Sequence, residues 1–193
     1  MRSTEQGFSL IEVLVSVFVL TVGVIGATGM HLNALRTAQQ SAYQTSALHL
    51  GSDIADSMRA NVKQMRLADD LNPYLQVDYQ SSSTSARSSD VSCYGGRGDC
   101  DTEELARFDI EQLLQRIDSD FPGGRVRICR DAMPWNAKAQ RFEWDCAMAS
   151  SGLAIVPLVI KIGWQEKMLH DQTSQNEAMV APGMVLTVAA YSR

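Results

Sequence analysis

The sequence predicts an α+β protein in which a long N-terminal helix packs on a C-terminal antiparallel β-sheet, with a short helix between them. Three patterns in the 193 residues carry this prediction. Residues 8–32 are predominantly apolar, and residues 33–67 contain no proline. After residue 124, apolar residues alternate with other residues in several short stretches. The first two patterns are typical of helices, and the alternation is typical of half-buried strands.

The apolar run from Phe8 to Leu32 is long enough to cross a membrane. About 25 residues at a rise of 1.5 Å each cover the roughly 30 Å hydrocarbon core of a bilayer. A secretory signal peptide has a shorter apolar core followed by a small-residue cleavage site, whereas this run begins directly after a short polar leader, residues 1–7. Glu12 is the only formal charge in the run. Because an ionised carboxylate in hydrocarbon is costly unless it is paired, Glu12 needs a partner.

The start of this run resembles, nearly residue for residue, the processing and assembly site of type IV prepilins and type II secretion pseudopilins. The matching residues are Gly7-Phe8-Ser9-Leu10-Ile11-Glu12-Val13-Leu14-Val15. The resemblance implies that a membrane-embedded prepilin peptidase cuts after Gly7 and N-methylates the new terminal residue, Phe8. It also implies that Glu12 pairs with the terminal amine of a neighbouring subunit. A plain signal anchor with one tolerated acid is the alternative, and it does not explain Gly7 and Glu12 together.

The helix is predicted to continue beyond the membrane as an amphipathic segment, residues 33–72. Apolar or small residues recur three and four positions apart, which defines one narrow helical face. This predicted face consists of Leu48, Gly51, Ala55, Met58, Val62 and Met65, with Ile54 beside it. Asn72-Pro73 is expected to end the helix, because the residue before a proline disfavours the helical conformation.

Four cysteines in an exported chain predict two disulfides, and sequence alone permits three pairings. Glycines between Cys93 and Cys100 allow a tight reversal, which favours a bridge between these two cysteines. Cys129 and Cys146 lie on successive predicted strands or their connection and form the natural second bridge. A zinc site is the alternative at Cys93 and Cys100, but no histidine or second close cysteine pair accompanies them.

The rest of the chain predicts one helix followed by four strands. Asp101 or Thr102 caps the helix, and Glu104 completes a pattern that resembles a capping box. The buried face of this helix is predicted to contain Ala106, Ile110, Leu113, Leu114 and Ile117, flanked by Phe108. The predicted strands are marked by Val126 and Ile128; by Phe142, Trp144 and Cys146; by Leu158, Ile160, Ile162 and Trp164; and by Leu186, Val188 and Ala190. Two long connections are expected, at residues 130–140 and 166–183.

Composition limits the functional classes. The formal net charge is −5 and the basic residues are scattered, so nothing indicates nucleic-acid binding. The only histidines are His31, His49 and His170. No nucleophile motif, phosphate-binding loop or metal-spaced cluster is present in the sequence. We therefore predict a non-enzymatic protein without a cofactor or metal. A membrane-anchored periplasmic enzyme and an adhesin with a ligand pocket are the alternatives from other classes.

Three further segments are similar to the PilV kind of type IV pilus minor pilin. They are residues 54–61 (IADSMRAN), residues 121–124 (FPGG, with Phe121 where leucine is expected) and residues 159–164 (VIKIGW). The matching pieces are spread over most of the chain but fill a small part of it. The resemblance implies a pilin-like fold with a leader at 1–7, a transmembrane and assembly helix at 8–32, its amphipathic continuation at 33–72, and a periplasmic head at 73–193.

The same resemblance implies a function and a set of partners. The protein would be a subunit that primes pilus assembly at or near the tip and so supports pilus biogenesis, twitching motility and adhesion. Its partners would be other minor pilins, the major pilin and the prepilin peptidase, with a tip adhesin as a further candidate. It would cross the inner membrane once before assembly and belong to the cell-surface pilus afterwards. A minor pseudopilin of a type II secretion system is the closest alternative.

Overall fold

Helix α1 (Leu10–Ala60) is the longest element of the chain in the computed structural model. The structure describes residues 9–81, 93, 100–148, 156–165 and 181–188. The chain divides into two compact units, Met1–Ala42 and Tyr43–Arg193, and α1 contributes residues to both. After α1 come α2 (Val62–Met65), a 3-10 turn (Pro73–Gln76), β1 (Asp78–Gln80), α3 (Thr102–Asp120), β2 (Arg125–Arg130), β3 (Trp135–Asn136), β4 (Arg141–Phe142), β5 (Leu158–Gly163) and β6 (Met184–Val188).

Four of the strands form an antiparallel sheet in the order β1-β2-β5-β6. The register places Ile160 of β5 between Ile128 of β2 and Leu186 of β6. Every residue of β5 is buried, as expected for a central strand that is covered on both faces. Strands β3 and β4 form a separate two-stranded ribbon.

The core of the second unit lies between α1, α3 and the four-stranded sheet. Helix α1 contributes the buried residues Ala47, Leu50, Gly51, Ile54, Ala55 and Met58. The sheet contributes Val126, Ile128, Leu158, Ile160, Ile162 and Val188 to the same cluster. At Gly51, an added Cβ would lie 2.8 Å from Cε of Met184 and 3.5 Å from Cδ2 of Leu186. The predicted α+β fold, with the long helix packed on an antiparallel sheet and a shorter helix between them, is therefore confirmed.

The predicted buried face of α1 is partly wrong. Leu48 is 50% exposed and Val62 is 39% exposed, whereas Ala47 and Leu50, which lie outside the predicted face, are buried. The three-and-four spacing fits two neighbouring stripes of this helix about equally well. Contact with the sheet selects the stripe that contains Ala47, Leu50 and Ile54.

The predicted continuous helix over residues 33–72 is also wrong at its C-terminal end. Helix α1 ends at Ala60, because Asn61 has φ −93° and ψ 60°, outside the helical region. The Asn61 side chain is 3% exposed, and its Nδ2 donates a hydrogen bond of 2.7 Å to the carbonyl oxygen of Thr102. This contact with the start of α3 is a tertiary interaction that helix propensity does not contain.

Helix α3 follows its prediction closely. In the capping box, Asp101 Oδ1 accepts hydrogen bonds from the amides of Glu103 and Glu104, each 2.8 Å, and Glu104 Oε2 accepts one from the Asp101 amide at 3.0 Å. Ala106, Leu113, Leu114 and Ile117 are buried as predicted, and the flanking Phe108 is buried too, whereas Ile110 is half-buried. After the helix, Phe121 is buried and Gly123 has φ +56°, a conformation that glycine adopts at little cost.

One predicted strand does not join the main sheet, and one strand of the sheet was missed. The segment around Phe142 pairs, among the described residues, with Trp135 and Asn136, while Trp144 packs against Gly163, where an added Cβ would lie 2.8 Å from Trp144 Cζ2. The edge strand β1 has three residues, too few to show alternation. Residue Ala190 and most of the 166–183 connection lie outside the described residues.

Candidate membrane and assembly site

The described part of the chain begins at Ser9, the second residue after the predicted cleavage site. Gly7 and Phe8 lie outside the described residues, so their roles in cleavage and N-methylation stay predictions. Ser9 stands directly before α1, and its carbonyl oxygen accepts hydrogen bonds from the amides of Glu12, at 3.0 Å, and Val13, at 3.4 Å. The helix is therefore established within a few residues of the predicted mature N-terminus.

The first unit presents an apolar helical surface. Large hydrophobic side chains are exposed in α1 at Leu10, Ile11, Val13, Leu14, Val15, Val17, Phe18, Val19, Leu20, Val22, Val24, Ile25, Met30, Leu32 and Leu35. The same helix contains an 18-residue window that is apolar enough to cross a membrane and has no residue buried inside the protein. By length and composition, α1 can therefore serve as a membrane anchor.

Polar hydroxyls in the apolar segment are satisfied within the helix. Ser16 donates to the carbonyl oxygen of Val13 at 2.8 Å, Thr21 to that of Phe18 at 2.7 Å, and Thr28 to that of Val24 at 2.8 Å. Such back-bonding lets hydroxyl side chains lie in hydrocarbon without an external partner.

Glu12 differs from these hydroxyls because it carries a charge. It lies in the first turn of α1, where the helix dipole favours a negative group. Its side chain is exposed and lines an open groove with Ile11, Val15, Ser16, Val19 and Leu20. Since a carboxylate can only accept hydrogen bonds, the partner that would stabilise it in a membrane must be a cation or donor.

Three glycines lie farther along the same helix, at Gly23, Gly26 and Gly29. Apart from the adjoining residues and the nearby backbone of the same helix, an added Cβ would meet no atom within 4 Å at any of the three positions. No contact among the described residues therefore requires glycine at these positions. Glycines in a membrane helix permit the close approach of a neighbouring helix, and these three lie on the segment that is long and apolar enough to cross a membrane.

The four cysteines form two disulfides in the structure. Cys93 is joined to Cys100 with a Cα–Cα distance of 5.8 Å, and Cys129 is joined to Cys146 with a Cα–Cα distance of 6.3 Å. These are the two bridges that the sequence analysis favoured. Cys129 belongs to β2, and Cys146 lies beyond β4 in a segment without regular structure. The second bridge therefore ties this irregular segment to the main sheet.

Sequence reasoning missed a buried ion pair beside the second disulfide. Lys161 lies between the apolar residues Ile160 and Ile162 of β5, yet it and Asp131 are both 0% exposed, with Lys161 Nζ 2.5 Å from Asp131 Oδ2. A lone lysine in an alternating strand gives no signal of burial, because its partner is 30 residues away in the chain. The burial of Lys161 depends on the fold, which brings its side chain against that of Asp131.

The head also contains titratable groups with shifted pKa values. Burial raises the pKa of Asp109, and the hydrogen bond that it accepts from Tyr74 lowers the pKa in part. Burial and the neighbouring Asp109 raise the pKa of Tyr74 far above its usual value. Among the described residues, no group of three or more His, Cys, Asp or Glu side chains is arranged to hold a metal ion.

Comparison with known proteins identifies the N-terminal segment. Residues 2–28 match the family model described as the prokaryotic N-terminal methylation motif. The match covers Gly7, Phe8 and Glu12 and indicates a type IV prepilin-like protein, a structural rather than a catalytic class. No curated protein and no solved structure matches the chain significantly.

Proposed function

We propose that this protein is a type IV pilus minor pilin that prepilin peptidase processes between Gly7 and Phe8. After cleavage, it primes assembly of the pilus and takes a place at or near the tip. The observation that carries the proposal is the methylation motif at residues 2–28, because it lies at the start of a helix whose later residues form the core of a folded head. This is the arrangement that the resemblance to pilins implies.

The assembly step rests on Glu12. In the proposed mechanism, the new α-amine of a neighbouring subunit pairs with the Glu12 carboxylate within the membrane. The pair neutralises both charges in a medium where either alone is costly, which favours one register between adjacent helices. The exposed position of Glu12 in a groove lined by apolar residues supports this role. The contribution of the protein is non-covalent packing.

The minor-pilin assignment is supported by the three further segments that resemble PilV-like proteins. In this fold, Ile54, Ala55 and Met58 of the first segment are core residues. Phe121 of the second segment packs against Trp164 of the third, with ring centroids 5.7 Å apart. The similar residues therefore belong to one packed region of the head, as expected if the resemblance reflects a shared fold.

The same N-terminal motif occurs in pseudopilins, so the test must distinguish a pilus from a secretion system. We would delete the gene in its own host and restore it with the natural chain. Surface pili would be measured in the sheared fraction, and type II secretion by the exported enzymes in the medium. The proposal predicts loss of pili with normal secretion, reversed by the natural chain. Loss of secretion with normal piliation would instead assign a pseudopilin, and no change in either would contradict the proposal.

Location in the pilus is tested by crosslinking. A photoreactive residue placed at an exposed position of the second unit, Leu71 or Met133, should crosslink the protein to another minor pilin or to the major pilin. The buried position Ile160 is the matched control, since a residue there faces the interior of the same head. Crosslinks confined to the inner-membrane fraction, with none in sheared pili, would contradict a place in the assembled pilus.

A further inference from the structure

A segment of the head, residues 131–147, leaves the sheet after β2 and carries the β3–β4 ribbon; we call it the excursion. Lys161 of β5 binds the excursion at three points. Its Nζ donates to Asp131 Oδ2 at 2.5 Å, to the carbonyl oxygen of Glu143 at 2.7 Å and to that of Asp145 at 2.6 Å. One ammonium group therefore holds both ends of the excursion.

A second set of hydrogen bonds joins the two ends of the excursion directly. Asp131 Oδ1 accepts from the amides of Met133, at 2.9 Å, and Ala147, at 3.1 Å. The Ala132 amide donates to the carbonyl oxygen of Ala147 at 2.8 Å. Both oxygens of the Asp131 carboxylate therefore accept hydrogen bonds, Oδ2 from Lys161 and Oδ1 from two backbone amides.

These contacts flank the Cys129–Cys146 disulfide without using its sulfur atoms. Asp131 lies two residues after Cys129, while Asp145 and Ala147 are the neighbours of Cys146. A closed excursion therefore brings the two cysteines together through contacts that do not require the S–S bond.

We propose that Lys161 is a positioning residue for oxidation of Cys129 and Cys146, because its ammonium group holds the excursion closed while both cysteines are still thiols. The oxidant is a small or protein-borne disulfide of the compartment that receives the head. One cysteine thiolate attacks that disulfide and releases one thiolate, and the second cysteine thiolate displaces the other. Two thiols are oxidised, the oxidant is reduced to two thiols, and no other reactant is needed.

The physical basis is thermodynamic linkage. Contacts that favour the closed over the open dithiol form raise the effective concentration of one thiol at the other, and the disulfide favours the same contacts in return. Removal of Lys161 would leave the Asp131 carboxylate buried without its cation, which strongly disfavours the closed form. The same contacts favour the pairing of Cys129 with Cys146 over the other pairings that four cysteines allow.

The test measures the equilibrium of each disulfide with glutathione. The full chain in detergent is equilibrated in glutathione buffers, free thiols are trapped by alkylation, and both bridges are quantified by peptide mass. Lys161→Met should lower the effective concentration at Cys129–Cys146 about tenfold or more, where tenfold corresponds to about 1.4 kcal/mol. Cys93–Cys100 is the internal reference and should be unchanged, since the three hydrogen bonds described for Lys161 go to the excursion and not to this bridge.

Lys138→Met provides the matched control, because Lys138 is an exposed lysine of the same excursion. It should leave both equilibria unchanged. Equal values for Cys129–Cys146 in Lys161→Met and the natural chain would overturn the proposal, as would an equal shift of both bridges.

A second measurement decides the question even where Lys161→Met does not fold. In the double variant Cys129→Ser/Cys146→Ser, the proposal predicts that the excursion stays closed. The amides of Ala132 and Ala147 should then retain slow hydrogen exchange in the full chain, because the hydrogen bonds that they donate to Ala147 and Asp131 persist. Exchange of both amides at the rate of an open segment would show that the contacts need the S–S bond, and the proposal would be wrong.

Discussion

The Tyr74 hydroxyl donates a hydrogen bond of 2.7 Å to Oδ2 of Asp109 and so joins the 3-10 turn to the centre of α3. Tyr74 is fully buried, and Asp109 lies at the edge of the core. Burial raises the pKa of Asp109, which means that the ionised carboxylate is less favourable in the folded head than in the unfolded chain. This pair predicts a specific pH dependence of stability.

We expect Asp109→Asn to unfold at a higher temperature than the natural chain at pH 7. Because the pKa of Asp109 is raised in the folded state, its stabilising contribution is present below the usual aspartate pKa and is lost as pH rises through the folded value. The advantage of Asp109→Asn should therefore shrink toward about pH 4. The difference in melting temperature between the two chains is measured in detergent by near-ultraviolet circular dichroism. A difference that does not change with pH would contradict the prediction.

Tyr74→Phe is the complementary variant. It removes the donor to the Asp109 carboxylate and should destabilise the head by about 1 kcal/mol at pH 7. The loss should be smaller in acid, where a protonated Asp109 gains less from the donor. Destabilisation that grows toward acid pH would argue against a charge-assisted hydrogen bond.

The N-cap of α3 predicts the opposite pH dependence. The amides of Glu104 and Glu103 lower the pKa of Asp101, so its stabilising contribution is present above the usual aspartate pKa and is lost as pH falls through the folded value. Asp101→Ala should lower the melting temperature at pH 7 and have less effect in acid. Asp101→Ser keeps a neutral cap and is the control, which should melt close to the natural chain without the added pH dependence. Equal effects of both substitutions at pH 7 would contradict the account.

Helix α1 offers a matched test of which face packs on the sheet. Ile54→Ala should cost about 2–5 kcal/mol, because Ile54 is buried in the core. Leu48→Ala, on the exposed face of the same helix, should change stability by less than about 0.5 kcal/mol. Comparable losses from the two variants in thermal melts would mean that the helix packs in another orientation.

The charge-pairing role of Glu12 is tested by Glu12→Val. We expect normal processing of this variant but poor incorporation into the minor-pilin complex and the pilus, because the partner amine loses its carboxylate. Thr21→Ala is the control on the same helix, since the Thr21 hydroxyl bonds its own helix and Thr21 lies outside the groove that Glu12 lines. Copurification with sheared pili measures incorporation. Normal incorporation of Glu12→Val would refute the pairing role.

Local patterns predicted those parts of the fold that depend on neighbouring residues. The capping box at Asp101 and Glu104, the end of α3 at Phe121 and the strands around Ile128 and Ile160 all follow from signals within a few residues. The failures have tertiary causes. The break at Asn61 depends on Thr102, the burial of Lys161 depends on Asp131, and β1 is too short to show a pattern.

The candidate site was visible in the sequence for a different reason. Glu12 stands out because it is a single charge in an apolar run, and its spacing from Gly7 is a short local motif. The buried network around Lys161 could not be found in this way, because its members come from separate parts of the chain.

The central claim is that the chain is a prepilin, and the mass of its N-terminal peptide tests this most directly. The protein would be isolated from cells with and without prepilin peptidase, and its N-terminal peptide identified by mass. The account predicts an N-methylated peptide that starts at Phe8 and occurs only when the peptidase is present. An intact Met1 terminus in peptidase-competent cells, or cleavage beyond the apolar run, would contradict it.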